Sequence, residues 1–159
     1  MWVYVVGHEL THALWTCLFG GKVKRFHASA KGGQVDVTKS NFLITLAPYF
    51  FPLYAAAVVL VFAVGQVIWG WAAYRLWFHF LLGFACAFHV SLTWQVLKTS
   101  QSDITQHGYL FSAVVIWLGH AGLLLVGLPV LTGQVAVTTA LRWSLSETGA
   151  ILQRLARLF

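Results

Sequence analysis

The stretch Trp2-Val3-Tyr4-Val5-Val6-Gly7-His8-Glu9-Leu10-Thr11-His12-Ala13-Leu14-Trp15 decides how the chain is read. It is an apolar run interrupted only by a short ionisable knot of His8, Glu9 and His12. A secretory leader is excluded, because there is no basic n-region, no small-residue cleavage site, and the knot would lie inside the hydrophobic segment. Ionisable groups inside an apolar helix are costly and functional by default. Residues four apart share a helix face, so His8 and His12 offer two imidazole nitrogens to one point. Zinc accepts His nitrogens at about 2.0–2.1 Å in tetrahedral geometry. Glu9 is placed to act as general base towards an attacking water. The competing reading is a buried histidine pair satisfied by a neighbouring carboxylate. With few residues before His8, the chain is expected to be a fragment or to begin at a late start codon.

Outward from this stretch, the composition sets the solvent. Of 159 residues, 59% are hydrophobic and 9% charged, against about 25% charged in soluble domains; the mean hydropathy is +0.77. No charged residue lies between Lys39 and Arg75, between Arg75 and Lys98, or between Asp103 and Arg142. About 18 apolar residues suffice for a membrane span, and lipid forces such spans to be helical. The expectation is an all-α membrane protein, a single domain over 1–159, with about four transmembrane helices near 2–19, 42–67, 72–97 and 104–131. Pro48 and Pro52 fall near the start of the second, and Pro129 is expected to end the fourth. In the polar stretch 20–40, Val23–Ala28 and Gln34–Thr38 alternate around Lys31-Gly32-Gly33, which predicts a small β-hairpin. Residues 138–158 predict an interfacial amphipathic helix with Leu141, Leu145, Ile151, Leu152 and Leu155 on one face and Arg142, Arg154 and Arg157 supplying charge.

The net charge of +6 is read as membrane-flank charge, and no soluble basic face suggests nucleic acid. The basic 20–40 loop places that side in the cytoplasm, with the site nearer that face. Trp69, Trp71, Trp77 and Trp94 read as interfacial anchors. Cys17 and Cys86 read as small buried hydrophobes.

Catalytic zinc usually has three protein ligands and an open position. The candidates for the third are Asp36, Asp103, His27, His79, His89, His107, His120 and Glu147. The metal would sit about 10 Å below the inner end of the first helix, at 1.5 Å per residue. Asp103 lies at that inner end, where the third span hands over to the fourth, and irregular buried backbone could carry it to metal depth. Its competing role is N-cap of the fourth helix. Thr11, Ser100, Ser102 and His107 are expected along a water path, although His107 by itself reads more simply as an interfacial residue.

Gly7-His8-Glu9-Leu10-Thr11-His12-Ala13-Leu14, followed by Phe19-Gly20-Gly21-Lys22-Val23, resembles the site-2 protease family of intramembrane zinc metalloproteases, especially its compact bacterial branch. That family follows its motif helix with a small β-element. It also carries a second metal motif, an Asp-Gly opening a later span, with an Asn and prolines shortly upstream. Here that place reads Gln101-Ser102-Asp103-Ile104, without the glycine or the prolines. Gln95 stands where an amide could contact the substrate backbone, and the family's Gly-Pro pair is reduced to Ala47-Pro48. The resemblance implies Zn2+ on His8, His12 and Asp103, with Glu9 as catalytic base. It implies a metalloprotease that cleaves a membrane protein in or near a transmembrane segment, in a multi-pass setting at a bacterial plasma membrane. Two rivals stand beside it: a catalytically silent relative that binds and regulates a client helix, and a metal- or proton-handling membrane protein. The nearly unbroken apolar character of the second and fourth spans weighs against the last.

Overall fold

The structure is a computed structural model, describing residues 2–29, 32–99 and 101–158. It falls into two compact units, 1–116 and 117–159. The order is α1 (Trp2–Leu18), β1 (Val23–Ser29), β2 (Gly32–Val37), α2 (Phe42–Phe50), α3 (Leu53–Trp69), a 3-10 turn (Trp71–Tyr74), α4 (Arg75–Leu97), α5 (Ser102–Thr105), α6 (Tyr109–Thr132) and α7 (Val137–Ala156). Among the described residues, 71–97 and 109–132 are long and apolar enough to cross a membrane, and α2 with α3 would make a third if that bent pair is one span. The 17 residues of α1 reach about 26 Å at 1.5 Å each, slightly under the hydrocarbon thickness of about 30 Å. Large apolar side chains stand outward on the long helices, among them Val67 (87% exposed), Leu76 (78%) and Leu110 (82%). Apolar surface on this scale suits lipid better than water. Cys17 and Cys86 are both exposed, a correction to the expectation of buried positions.

In the first unit, α1 ends in a left-handed glycine. Gly20 has φ 70, and the Gly20 and Gly21 amides donate to the Cys17 and Thr16 carbonyls at 2.9 and 2.8 Å, which caps the helix as such glycines do. The chain then forms the expected hairpin, an antiparallel pair with Val23 opposite Val37, Arg25 opposite Asp36 and Ala28 opposite Gly33, and an irregularity between Val23 and Arg25. Lys31, at its expected turn, lies outside the described residues. The hairpin folds back along α1 so closely that a Cβ on Gly33 would lie 2.4 Å from Glu9 Cγ and 2.8 Å from Val5 Cγ1.

The buried core of the first unit is concentrated in α2, which packs on α1; Ile44 is 2% exposed and Leu46 and Tyr49 are 0%. Asn41 starts α2, its side chain accepting from the Ile44 amide at 2.9 Å, a normal N-cap. The expected single helix over 42–67 is corrected to two helices bent by 75°. Pro52 has no amide hydrogen and disfavours helical backbone at the residue before it, and Phe51 is extended, with φ −94 and ψ 108. Helices α3 and α4 form a hairpin turned by left-handed Gly70 (φ 65). Phe62 stacks on Phe78 at 4.3 Å. The Trp71 ring lies so close to Gly65 that a Cβ there would sit 2.3 Å from it.

A second correction falls at the expected helix 104–131. Gly108, with φ 84, separates the short turn α5 from α6, and the Ser112 hydroxyl donates to the Ile104 carbonyl at 3.2 Å across the break. Pro129 lies inside α6 rather than ending it; Gly133, with φ 64, follows the helix. In the second unit, the end of α6 and α7 pack around a cavity of about 250 Å³ lined by Leu128, Pro129, Ala140 and Trp143. The apolar side chains of α7, Leu141, Leu145, Ile151, Leu152 and Leu155, are exposed.

Replacing Gly65 by Ala is expected to overpack Trp71 and destabilise the protein by about 1–3 kcal/mol. The check is the thermal midpoint in detergent, which should fall.

Candidate metal centre

Local helix geometry places the first half of the site. His8 and His12 stand one turn apart on α1, with ring centroids 4.9 Å apart and planes at 79°. The break before α6 places the rest. As a separate turn, α5 carries Asp103 to α1, and its Oδ2 lies 3.4 Å from His8 Nε2 and 3.5 Å from His12 Nε2. One ligand atom from each of His8, His12 and Asp103 lies within 4.8 Å of the others, a grouping that could hold a metal ion. Asp103 sits in the first turn of α5, after Gln101 at the cap position, so its carboxylate is engaged by the histidines rather than by a helix N-terminus. It lies between the candidate spans. Burial pushes its carboxyl up, but the adjoining His12 and His8 imidazoles outweigh burial and hold it well below the usual carboxylate range. It is therefore ionised, as a ligand must be.

Each of the three side chains is held from behind. His12 Nδ1 lies 2.9 Å from the Ile44 carbonyl. A carbonyl only accepts, so Nδ1 carries the proton and Nε2, facing Asp103, is the nitrogen left for a cation. His8 Nδ1 lies 3.4 Å from the Tyr4 hydroxyl. The Tyr49 hydroxyl donates to Asp103 Oδ2 at 3.0 Å, and its ring meets the His8 ring edge-on at 5.3 Å. Two imidazoles and one ionised carboxylate, each oriented by a further hydrogen bond, match the donor set and supporting shell of a divalent-metal site.

Glu9 is buried, 8% exposed, under the bare backbone of Gly33. With His8 it borders two cavities. One, about 330 Å³, is lined by Gly33, Gln34 and Val35 of β2 and by Ser102, Asp103 and Gln106. The other, about 540 Å³, lies between α1 and α4 and is lined by Tyr4, Val5, Leu92, Gln95 and Val96. Gln95 thus stands at a cavity that reaches Glu9. Of the expected water path, Ser102 lines the cleft. Thr11 is buried and donates to the Gly7 carbonyl at 2.7 Å, His107 packs towards Phe111 at 6.3 Å, and Ser100 lies outside the described residues.

The other candidate ligands of the first unit take different partners, and His120 and Glu147 belong to the second unit. Asp36 faces Arg25 at 3.9 Å and accepts from Gln34 at 2.9 Å on the hairpin, His27 is on exposed β1, and His79 packs beside Phe78. His89 lines a small cavity behind His8 with Tyr4 and Thr11. Sequence reasoning missed Tyr4, Tyr49, Gly33 and the Ile44 carbonyl. Only Tyr4 carried a signal, its placement one helical turn before His8.

Replacing Asp103 by Ala is expected to abolish stoichiometric binding of a divalent metal. Replacing Tyr49 by Phe should weaken it about 10–100-fold, the usual effect of losing a group that orients a ligand; both are read by metal titration of the purified protein. Compared with protein-family models, curated proteins and solved structures, the chain matches none.

Proposed function

We propose that the chain is an intramembrane zinc metalloendopeptidase that hydrolyses a peptide bond in or near a membrane-spanning segment of a protein substrate. The observation that carries this reading is the meeting of His8, His12 and Asp103 with Glu9 beside them, at a cleft bordered by a β-strand. Two histidines and one carboxylate with a cleft in front make the donor pattern of catalytic rather than structural zinc, since structural sites are closed by a fourth protein ligand. Zinc held there would lower the pKa of water and polarise a carbonyl.

The residues of the chain do the rest. Glu9 takes the proton from the attacking water and returns it to the leaving amine. Its burial beneath Gly33 holds the carboxylate beside the histidines, and a side chain at 33 would displace it. The strand β2 pairs with β1 on one side, and its residues 33–35 border the cleft. An unwound substrate segment would add along this strand, with backbone hydrogen bonds giving affinity. Unwinding is needed because helical peptide bonds are shielded by their own hydrogen bonds. Gln95 would offer its side-chain amide to the substrate backbone from α4. The setting proposed is a multi-pass protein of a bacterial plasma membrane with the site nearer the cytoplasmic face.

The test combines metal analysis with a library of single-span reporter peptides in liposomes, read by mass spectrometry. Wild type is expected to hold one zinc and cleave a subset of peptides, and removal of the metal by a chelator should stop cleavage until zinc is restored. Glu9→Gln should keep the zinc and lose about 10²–10⁴-fold in rate, the range for a positioned general base. A wild type without stoichiometric zinc overturns the proposal. Zinc without cleavage of any peptide would leave a silent helix-binding relative in its place.

A further inference from the structure

Ile44 is a residue whose two backbone polar groups both serve something outside the ordinary helical ladder. Its amide donates to the Asn41 side chain at 2.9 Å, as the first turn of a helix requires. Its carbonyl would normally accept from the amide four residues later. That residue is Pro48, inside α2, which has no amide hydrogen to give. The open carbonyl instead takes the Nδ1 hydrogen of His12 at 2.9 Å. Ile44 is 2% exposed and Pro48 is also buried, where an unpartnered carbonyl would be costly.

We propose that Pro48 is a metal-positioning residue: by withholding an amide from the Ile44 carbonyl, it reserves that oxygen for His12 Nδ1 and so holds His12 Nε2 bare and aimed at the point shared with His8 and Asp103. The inference rests on the metal reading of the site but not on proteolysis. An alternative partner for the carbonyl would have to come from the helix itself, and Pro48 is the position at which any other residue would supply it. Alanine at 48 introduces the competing N–H and improves helix propensity at the same time. The two effects separate cleanly, because helix geometry should gain while the hold on His12 loosens.

The experiment titrates detergent-purified wild type, Pro48→Ala and Leu46→Ala with Zn2+. The ring nitrogens of His12 are followed by 15N NMR in metal-free protein. Leu46 is fully buried on the same helix, and its truncation creates a cavity without adding an amide hydrogen. The expected result for Pro48→Ala is a zinc Kd weakened about 10–100-fold, with His12 no longer held in the Nδ1–H form. Leu46→Ala should lower the thermal midpoint while keeping the wild-type His12 signal and a Kd within about twofold. If Pro48→Ala keeps both the wild-type Kd and the Nδ1–H signal, the proposal is overturned while the metal reading stands. If Leu46→Ala loosens zinc as much as Pro48→Ala does, Pro48 acts only through packing and the proposal is likewise overturned. A wild type that binds no zinc overturns the metal reading itself.

Discussion

Asp103 Oδ2 accepts from the Tyr49 hydroxyl and lies within 3.5 Å of both His8 Nε2 and His12 Nε2, and through that atom α1, α2 and α5 are tied to one point. A carboxylate in these surroundings is tolerable because the Tyr49 hydroxyl donates to it and a cation shared with the two imidazoles would balance its charge. Remove the convergence and α5 has no polar reason to approach α1. The histidines would then sit in an apolar helix facing nothing that could balance a cation.

The backbone breaks make this convergence possible. A continuous helix through 104–131 would carry Asp103 on the same axis as α6; the left-handed Gly108 frees α5 to take its own direction. A continuous helix through 42–67 would run away from α1, whereas the bend at Pro52 lets α2 pack against α1 while α3 departs at 75°. The break at Phe51 borders the small cavity behind His8. The close passage of β2 is the third such adjustment, with Gly33 lacking the side chain that would push Glu9 aside.

How much of this was legible depends on the distance over which each feature acts. The His8–His12 pair was readable because four-residue spacing is a local property of any helix. The apolar gaps, the hairpin after α1 and the amphipathic C-terminal helix were readable from periodicity and charge for the same reason. The two helix breaks escape the sequence because an apolar run shows length but not direction, and a single Pro52 or Gly108 inside such a run does not by itself say that the helix stops. Asp103 could be singled out by its place along the chain, but not shown to reach the histidines. Tyr49 is 54 residues from Asp103, and Ile44 is 32 from His12. An apolar residue's carbonyl leaves no trace in a sequence pattern.

By itself, the sequence determined the long apolar helices, the helical class and the His8–His12 half of the site, because hydropathy and helical periodicity are carried by neighbouring residues. The tertiary structure alone decided that Asp103 meets His8 and His12, that Glu9 lies under a bare glycine, and that both histidines are braced through Nδ1. Apart from the Tyr4 brace one turn before His8, those facts depend on contacts between segments far apart in the chain, where packing and the demand to satisfy buried polar groups choose the partners.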